Sequence, residues 1–339
     1  MPVQGRGDAR RGGGGDADRG SRSTGDGARG ARGGGGGALS AAGFEETYAA
    51  IREAAAARLV GRDAVVVEGE DAASYLQGQC SQDLSGLATG ESLLSFLLSP
   101  RGKVDALVRV VRLEGSRFVV EVEEGFGGAV HDRLARFKVR VKATLRPTRL
   151  ALVEVRGPLA DAVATHAGSL ARLAVDWPGY RGVDLLGETV SLPPGVLAGD
   201  PQAFEAARIE AGVPAMGREL TPDTIPHETG IVERAVSFTK GCYTGQELVA
   251  RLDARGAHVA RRLVGVVAPG APAGALAPGD GLRDAGRVVG EVTSASFSPR
   301  LAGAIGLAYL RRAVLTPCEL EVVRAEAVVG RASVRDLPL

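Results

Sequence analysis

The residues best suited to chemistry lie in one short run, Phe238-Thr239-Lys240-Gly241-Cys242-Tyr243-Thr244-Gly245-Gln246-Glu247. An ammonium near a cysteine lowers the thiol pKa and raises the fraction of thiolate, the form that attacks electrophiles or binds metal. Glycines on either side let the backbone turn tightly or approach a ligand. Tyr243 adds a stacking face with a polar tip. The same run also reads as a turn into a helix, with Cys242 as a small buried hydrophobe, and spacing alone leaves both readings open. Cys80 and Cys318 read as inert packing thiols. His131, His166, His227 and His258 show no i, i+4 spacing and no adjacent cysteine, so no protein-only zinc site is expected. The glycine run Gly33–Gly37 lacks the G-K-[ST] that makes a phosphate loop.

The elements that must position these groups are legible in the periodicity. Phe44, Tyr48, Ile51, Ala55 and Leu59 follow helical spacing, which predicts a helix over 44–59. Asp71 reads as the N-cap of a helix through Gln77. Ser92–Leu98 and Lys103–Arg112 read as strands joined by the turn tetrad Ser99-Pro100-Arg101-Gly102. Arg117–Val122, Val139–Leu145, Leu150–Val155 and Val183–Leu186 are further strands, and helices are expected over 130–138 and 203–210. Strands and helices mixed without a strict βαβ repeat point to an α+β fold. After Arg261 five short β-type runs, separated by Pro/Gly-rich turns, predict a small all-β module.

Composition bounds the rest. The chain has 339 residues, 49 of them glycine, at a formal net charge of +1. Residues 1–40 hold 15 of the glycines and almost no sizeable apolar side chain, so they cannot repay the entropy of ordering and read as a disordered tail. A near-neutral body argues against a protein that grips long nucleic acids through phosphates. No run reaches the roughly 20 apolar residues of a membrane span. Three distant cysteines make no disulfide framework, and the expected setting is a reducing cytoplasm.

The run Lys240-Gly241-Cys242-Tyr243-Thr244-Gly245-Gln246-Glu247, followed by Val249-Ala250-Arg251, resembles the hallmark of the YgfZ/GcvT-type folate-binding proteins, relatives of the glycine-cleavage aminomethyltransferase. Tyr75-Leu76-Gln77-Gly78-Gln79, Ser99-Pro100-Arg101-Gly102-Lys103-Val104, Arg208–Pro214 and the stretch from Thr293-Ser294 to Ser298-Pro299 extend the resemblance over about 44–337. It implies a ring of two α+β domains plus a C-terminal antiparallel β-barrel, divided as 1–42 tail, 43–260 folate-binding region of two lobes, and 261–339 barrel.

It further implies a tetrahydrofolate-type cofactor in a central pocket, the Cys motif near the pocket mouth, and a role in iron–sulfur cluster assembly or repair. Cys242 would be the key thiol and Lys240 its activator. Tyr243, Gln246, Phe204, Arg62, Asp184 and Asp105 would contact the cofactor. Phe204 and Arg62 fall where relatives place ligand-contacting Trp residues. Asp184 falls where the aminomethyltransferases keep a pterin-binding Glu, and Asp105 is the acid nearest their essential Asp. One motif cysteine cannot hold a cluster, so any cluster would be shared with a partner, an iron–sulfur assembly or client protein. The alternatives are a tetrahydrofolate-dependent aminomethyltransferase using Asp105, and a ligand-free scaffold; whether the chain is an enzyme stays open.

Overall fold

The computed structural model describes residues 42–164 and 168–339; the expected disordered tail and His166 lie outside them. In chain order the first part runs α1 (Phe44–Glu53), β1 (Ala56–Glu68), α2 (Ala72–Gln79), β2 (Ser92–Leu98), β3 (Val104–Arg112), β4 (Arg117–Glu123), α3 (Gly127–Arg136) and β5 (Thr144–Arg156). There follow α4 (Ala160–Val163), β6 (Ala171–Ala174), β7 (Gly182–Gly187), β8 (Leu197–Ala198), α5 (Pro201–Glu210), α6 (Val232–Ala235) and α7 (Gln246–Ala254). One sheet of order β2-β3-β4-β1-β5-β7-β6 carries this α+β part, its ladder antiparallel throughout, with β8 added parallel to β1. The two α+β halves therefore share a single sheet.

That sheet hinges on β1 and β5. Both are 13 residues long and pair over their whole length, from Ala56 opposite Arg156 to Glu68 opposite Thr144. The helix expected over 44–59 accordingly stops at Glu53, and Ala56–Leu59 joins the sheet. Tertiary pairing overrode a helical period there. Residues 139–143, expected as strand, precede β5 instead.

The C-terminal part is a closed antiparallel barrel of six strands: β9 (Arg261–Pro269), β10 (Gly281–Asp284), β11 (Arg287–Ser298), β12 (Gly303–Arg311), β13 (Cys318–Arg324) and β14 (Ala327–Arg335). The sequence predicts five. β10 is only four residues long and starts on the last glycine of a Pro/Gly turn, so it carries no periodicity of its own.

α5 and the segment after it join the two parts through two buried carboxylates. Glu210 accepts from Tyr48 Oη at 2.6 Å, Tyr180 Oη at 2.7 Å, Ser298 Oγ at 2.5 Å and Arg300 Nε at 3.0 Å. Glu219 accepts from Arg208, Thr293 and Ser294. Each buried charge is thus hydrogen-bonded, the condition under which it can be tolerated.

Candidate functional site

One face of the sheet floors a cavity of about 590 Å3. Side chains alternate across a strand, and alternate positions supply the floor: Arg58, Val60 and Arg62 of β1, Leu107 and Arg109 of β3, Glu121 and Glu123 of β4, Leu152, Glu154 and Arg156 of β5, and Asp184 of β7. The walls come from α5 and the segment after it, from α6, and from the β6–β7 loop with Trp177.

Seven floor residues form a continuous ladder of alternating charge. Arg62 Nε donates to Glu121 at 2.7 Å, and Arg109 donates to the other oxygen of Glu121 and, through Nη1, to Asp184 Oδ2 at 2.7 Å. Asp184 Oδ1 accepts from Arg156 Nη1 at 2.7 Å; Arg156 also reaches Glu154, which pairs with Arg58. Burial pushes the Glu121 and Asp184 carboxyls up, but the adjacent guanidiniums outweigh it, and both sit below the usual range. Burying ion pairs is seldom the most stable way to fill a core. A polar floor of this extent fits a ligand with polar edges better than a purely structural role.

One floor carboxylate stands outside the ladder, and one ladder arginine keeps an unused donor. Glu123 has no ion pair among the described residues; its Oε1 accepts from the Met216 amide at 2.9 Å, and burial raises its pKa. Arg156 is 1 % exposed, yet its Nε finds no acceptor. A buried N–H left unpaired costs about 1–3 kcal/mol, so this one marks where a ligand acceptor would be welcome. Trp177 lies against the Arg156 guanidinium, 4.4 Å from its ring centroid.

The predicted residues divide. Arg62 and Asp184 line the cavity as expected for ligand contacts, although both oxygens of Asp184 already accept from arginines. Phe204 does not line it. Its ring is 0 % exposed, packed among Tyr48, Ile51 and Tyr180, with the Arg58 guanidinium 4.7 Å away. Asp105 also misses the cavity. The β2–β3 register shifts between Leu97 and Leu98, so Asp105 is the extra residue of a bulge and the simple alternation with Leu107 fails. It pairs instead with Arg133 at 3.0 Å beside a separate cavity of about 300 Å3.

The cysteine loop is ordered in a way the sequence did not announce. Lys240 Nζ donates to the carbonyls of Gln77, Cys80 and Gln82 at 2.7, 2.8 and 2.9 Å. All three of its protons are committed to carbonyls at the end of α2 and just past it, so Lys240 braces the loop and has no proton left to donate to Cys242. Burial lowers its pKa. Tyr243 is buried in the hydrophobic core, with its hydroxyl pushed up to about 12, and offers no stacking face. Gln246 opens α7 and accepts from the Tyr243 amide. Gly245 adopts φ +84°, and a Cβ there would meet Ser99 O at 2.5 Å, so loop and β2–β3 turn touch backbone to backbone. Cys242 is exposed, whereas burial pushes the Cys80 thiol up to about 11. None of residues 240–246 lines the cavity.

Trp177, Glu123 and Arg109 were missed by sequence reasoning. A signal existed for Glu123, because Glu121 and Glu123 alternate with valines in a strand too apolar to be an exposed one. Among the described residues no three His, Cys, Asp and Glu side chains come together to hold a metal. No described helix is long and apolar enough to cross a membrane.

Comparison with known proteins places this geometry. Residues 41–191 match the GCVT N-terminal domain, and residues 261–339 match the glycine cleavage T-protein C-terminal barrel domain. An uncharacterized protein of Haemophilus influenzae is 32 % identical over 196 residues, 57 % of this chain and 67 % of that one. A tRNA-modifying protein YgfZ of Klebsiella pneumoniae is 31 % identical over 216 residues, 57 % of this chain and 65 % of that one. The matched region thus spans about two thirds of the length of these curated relatives. The glycine cleavage system aminomethyltransferase T from Bartonella henselae shares the fold, with a TM-score of 0.71 at 22 % identity over 87 % of this chain and 89 % of that one.

Proposed function

The chain belongs to the YgfZ/GcvT-type family, and from that premise we propose that it binds a reduced folate in the sheet-floored cavity and acts as an accessory protein in iron–sulfur cluster assembly or repair. The observation that carries the folate half is the cavity itself. Its volume falls within the roughly 300–1,000 Å3 of small-molecule sites, and it pairs apolar side chains with an aromatic wall and an unpartnered buried N–H. Arg62, Arg109, Asp184 and Glu123 would hold the polar edges of a pterin, since carboxylates accept from amino groups and guanidiniums donate to ring carbonyls. A bound tetrahydrofolate would supply a one-carbon carrier. Seven arginines and seven carboxylates line the cavity, a balance suited to a small polar ring and not to a polyanion.

Aminomethyl transfer is the weaker reading. It calls on Asp105, which the β3 bulge holds on Arg133, and Leu107 takes the cavity position. For the cluster half, the exposed Cys242 is the available thiol, and a cluster would be cargo whose other ligands come from a partner, because about four are needed. The relatives' description as tRNA-modifying fits a client enzyme that handles the RNA, this chain being close to neutral. A reducing cytoplasm is the proposed setting.

Replacing Cys242 with Ala and assaying a cluster-dependent enzyme in cells tests the accessory role. The expected outcome is a clear loss of client activity at unchanged protein level. Unaltered client activity would remove Cys242 from the proposal.

A further inference from the structure

We infer that Trp177 is the surface on which the ligand's flat ring packs, with the Arg156 guanidinium supporting the indole from beneath. This rests on the folate reading and names the contact within that site. Among the described residues Trp177 is the one aromatic side chain on the cavity wall. Phe204, Tyr48, Tyr180 and Tyr243 are buried in packing, and the exposed Phe238 lies outside the cavity lining.

Trp177 is also held in place before any ligand arrives. It opens the turn Trp177-Pro178-Gly179-Tyr180, in which the Tyr180 amide donates to Trp177 O at 3.0 Å and Gly179 has φ +78°. Proline followed by a positive-φ glycine is the signature of a type II turn. Asp176, the preceding residue, accepts from Arg234 Nε at 2.7 Å, which ties the loop to α6 across the cavity wall. Beneath it Arg156 is fixed by Asp184, Glu154 and the Val155 carbonyl. Gly182 makes room for it, since a Cβ there would stand 2.9 Å from Arg156 Cδ. An aromatic face preset in this way stacks a ring without an ordering cost at the moment of binding.

The chain contains a single tryptophan, so its emission reports this residue alone. Tetrahydrofolate is titrated into the full chain while heat and acrylamide quenching of tryptophan are followed together. The expected result is binding heat with Trp177 shielded from acrylamide over the same ligand range. By calorimetry Trp177→Ala weakens binding roughly tenfold or more, as removal of a stacking aromatic does, and Trp177→Phe weakens it less. The paired variants, compared by circular dichroism, separate lost stacking from lost folding. Heat without shielding, or a folded Trp177→Ala that binds like the wild type, overturns the inference and leaves the folate reading standing. No heat at millimolar tetrahydrofolate removes the folate reading, and this inference with it.

Discussion

Glu121 takes one guanidinium on each oxygen, from Arg62 and Arg109, and is 1 % exposed on its side chain. Glu121→Gln would leave both arginines short of a charge partner in a mostly buried setting, at a cost of about 3 kcal/mol. The expected outcome is a lower denaturation midpoint with unchanged cooperativity. Glu121 and Asp184 have folded pKa values below their unfolded ones, so their contribution is fully present above about pH 5 and is lost as pH falls through the folded values. A thermal midpoint that holds from neutrality to about pH 5 and then drops is predicted, with a shallower drop in Glu121→Gln. At this scale the sequence was uneven. Arg62 and Asp184 were expected at the ligand only through the family resemblance, and both line the cavity. Phe204 does not, because residue type says an aromatic is present but not whether its face is covered. Asp105 failed for a different reason: a one-residue bulge reverses sidedness and leaves no mark in hydrophobic pattern.

The cysteine loop is built by neighbouring elements as much as by its own residues. α2 ends in carbonyls that Lys240 satisfies, and the Thr244 amide reaches Gly78 O at 3.1 Å. Lys240→Met keeps the stem but strands three acceptors, with an expected cost of about 2 kcal/mol. Limited proteolysis should then cut near residues 237–245 faster than in the wild type. Gly245→Ala should have the same effect through strain, since its φ of +84° disfavours any Cβ and the space is filled by Ser99 O. Faster cleavage in neither variant would show that the loop does not depend on these braces. The motif was visible in the sequence; of its two glycines Gly245 makes a tight contact, whereas a Cβ at Gly241 would meet nothing. The role of Lys240 was not visible, because proximity along the chain to Cys242 says nothing about carbonyls some 160 residues earlier.

For the molecule as a whole, the α+β class and the C-terminal barrel were legible from mixed periodicities and from the change of texture after Arg261. The single shared sheet was not, since its central pair, β1 with β5, joins segments about 90 residues apart and only register reveals it. That sheet is what makes a cavity floor from five strands at once. The central claim is that this cavity binds a reduced folate, and it is tested most directly by titrating tetrahydrofolate calorimetrically into two proteins, the wild type and Leu107→Trp. Leu107 lies on the floor and is not a member of the charge ladder, and a larger side chain there takes up cavity space. The account predicts one-to-one binding to the wild type and loss of binding in a folded Leu107→Trp. Equal binding to both, or heat in neither, would contradict it.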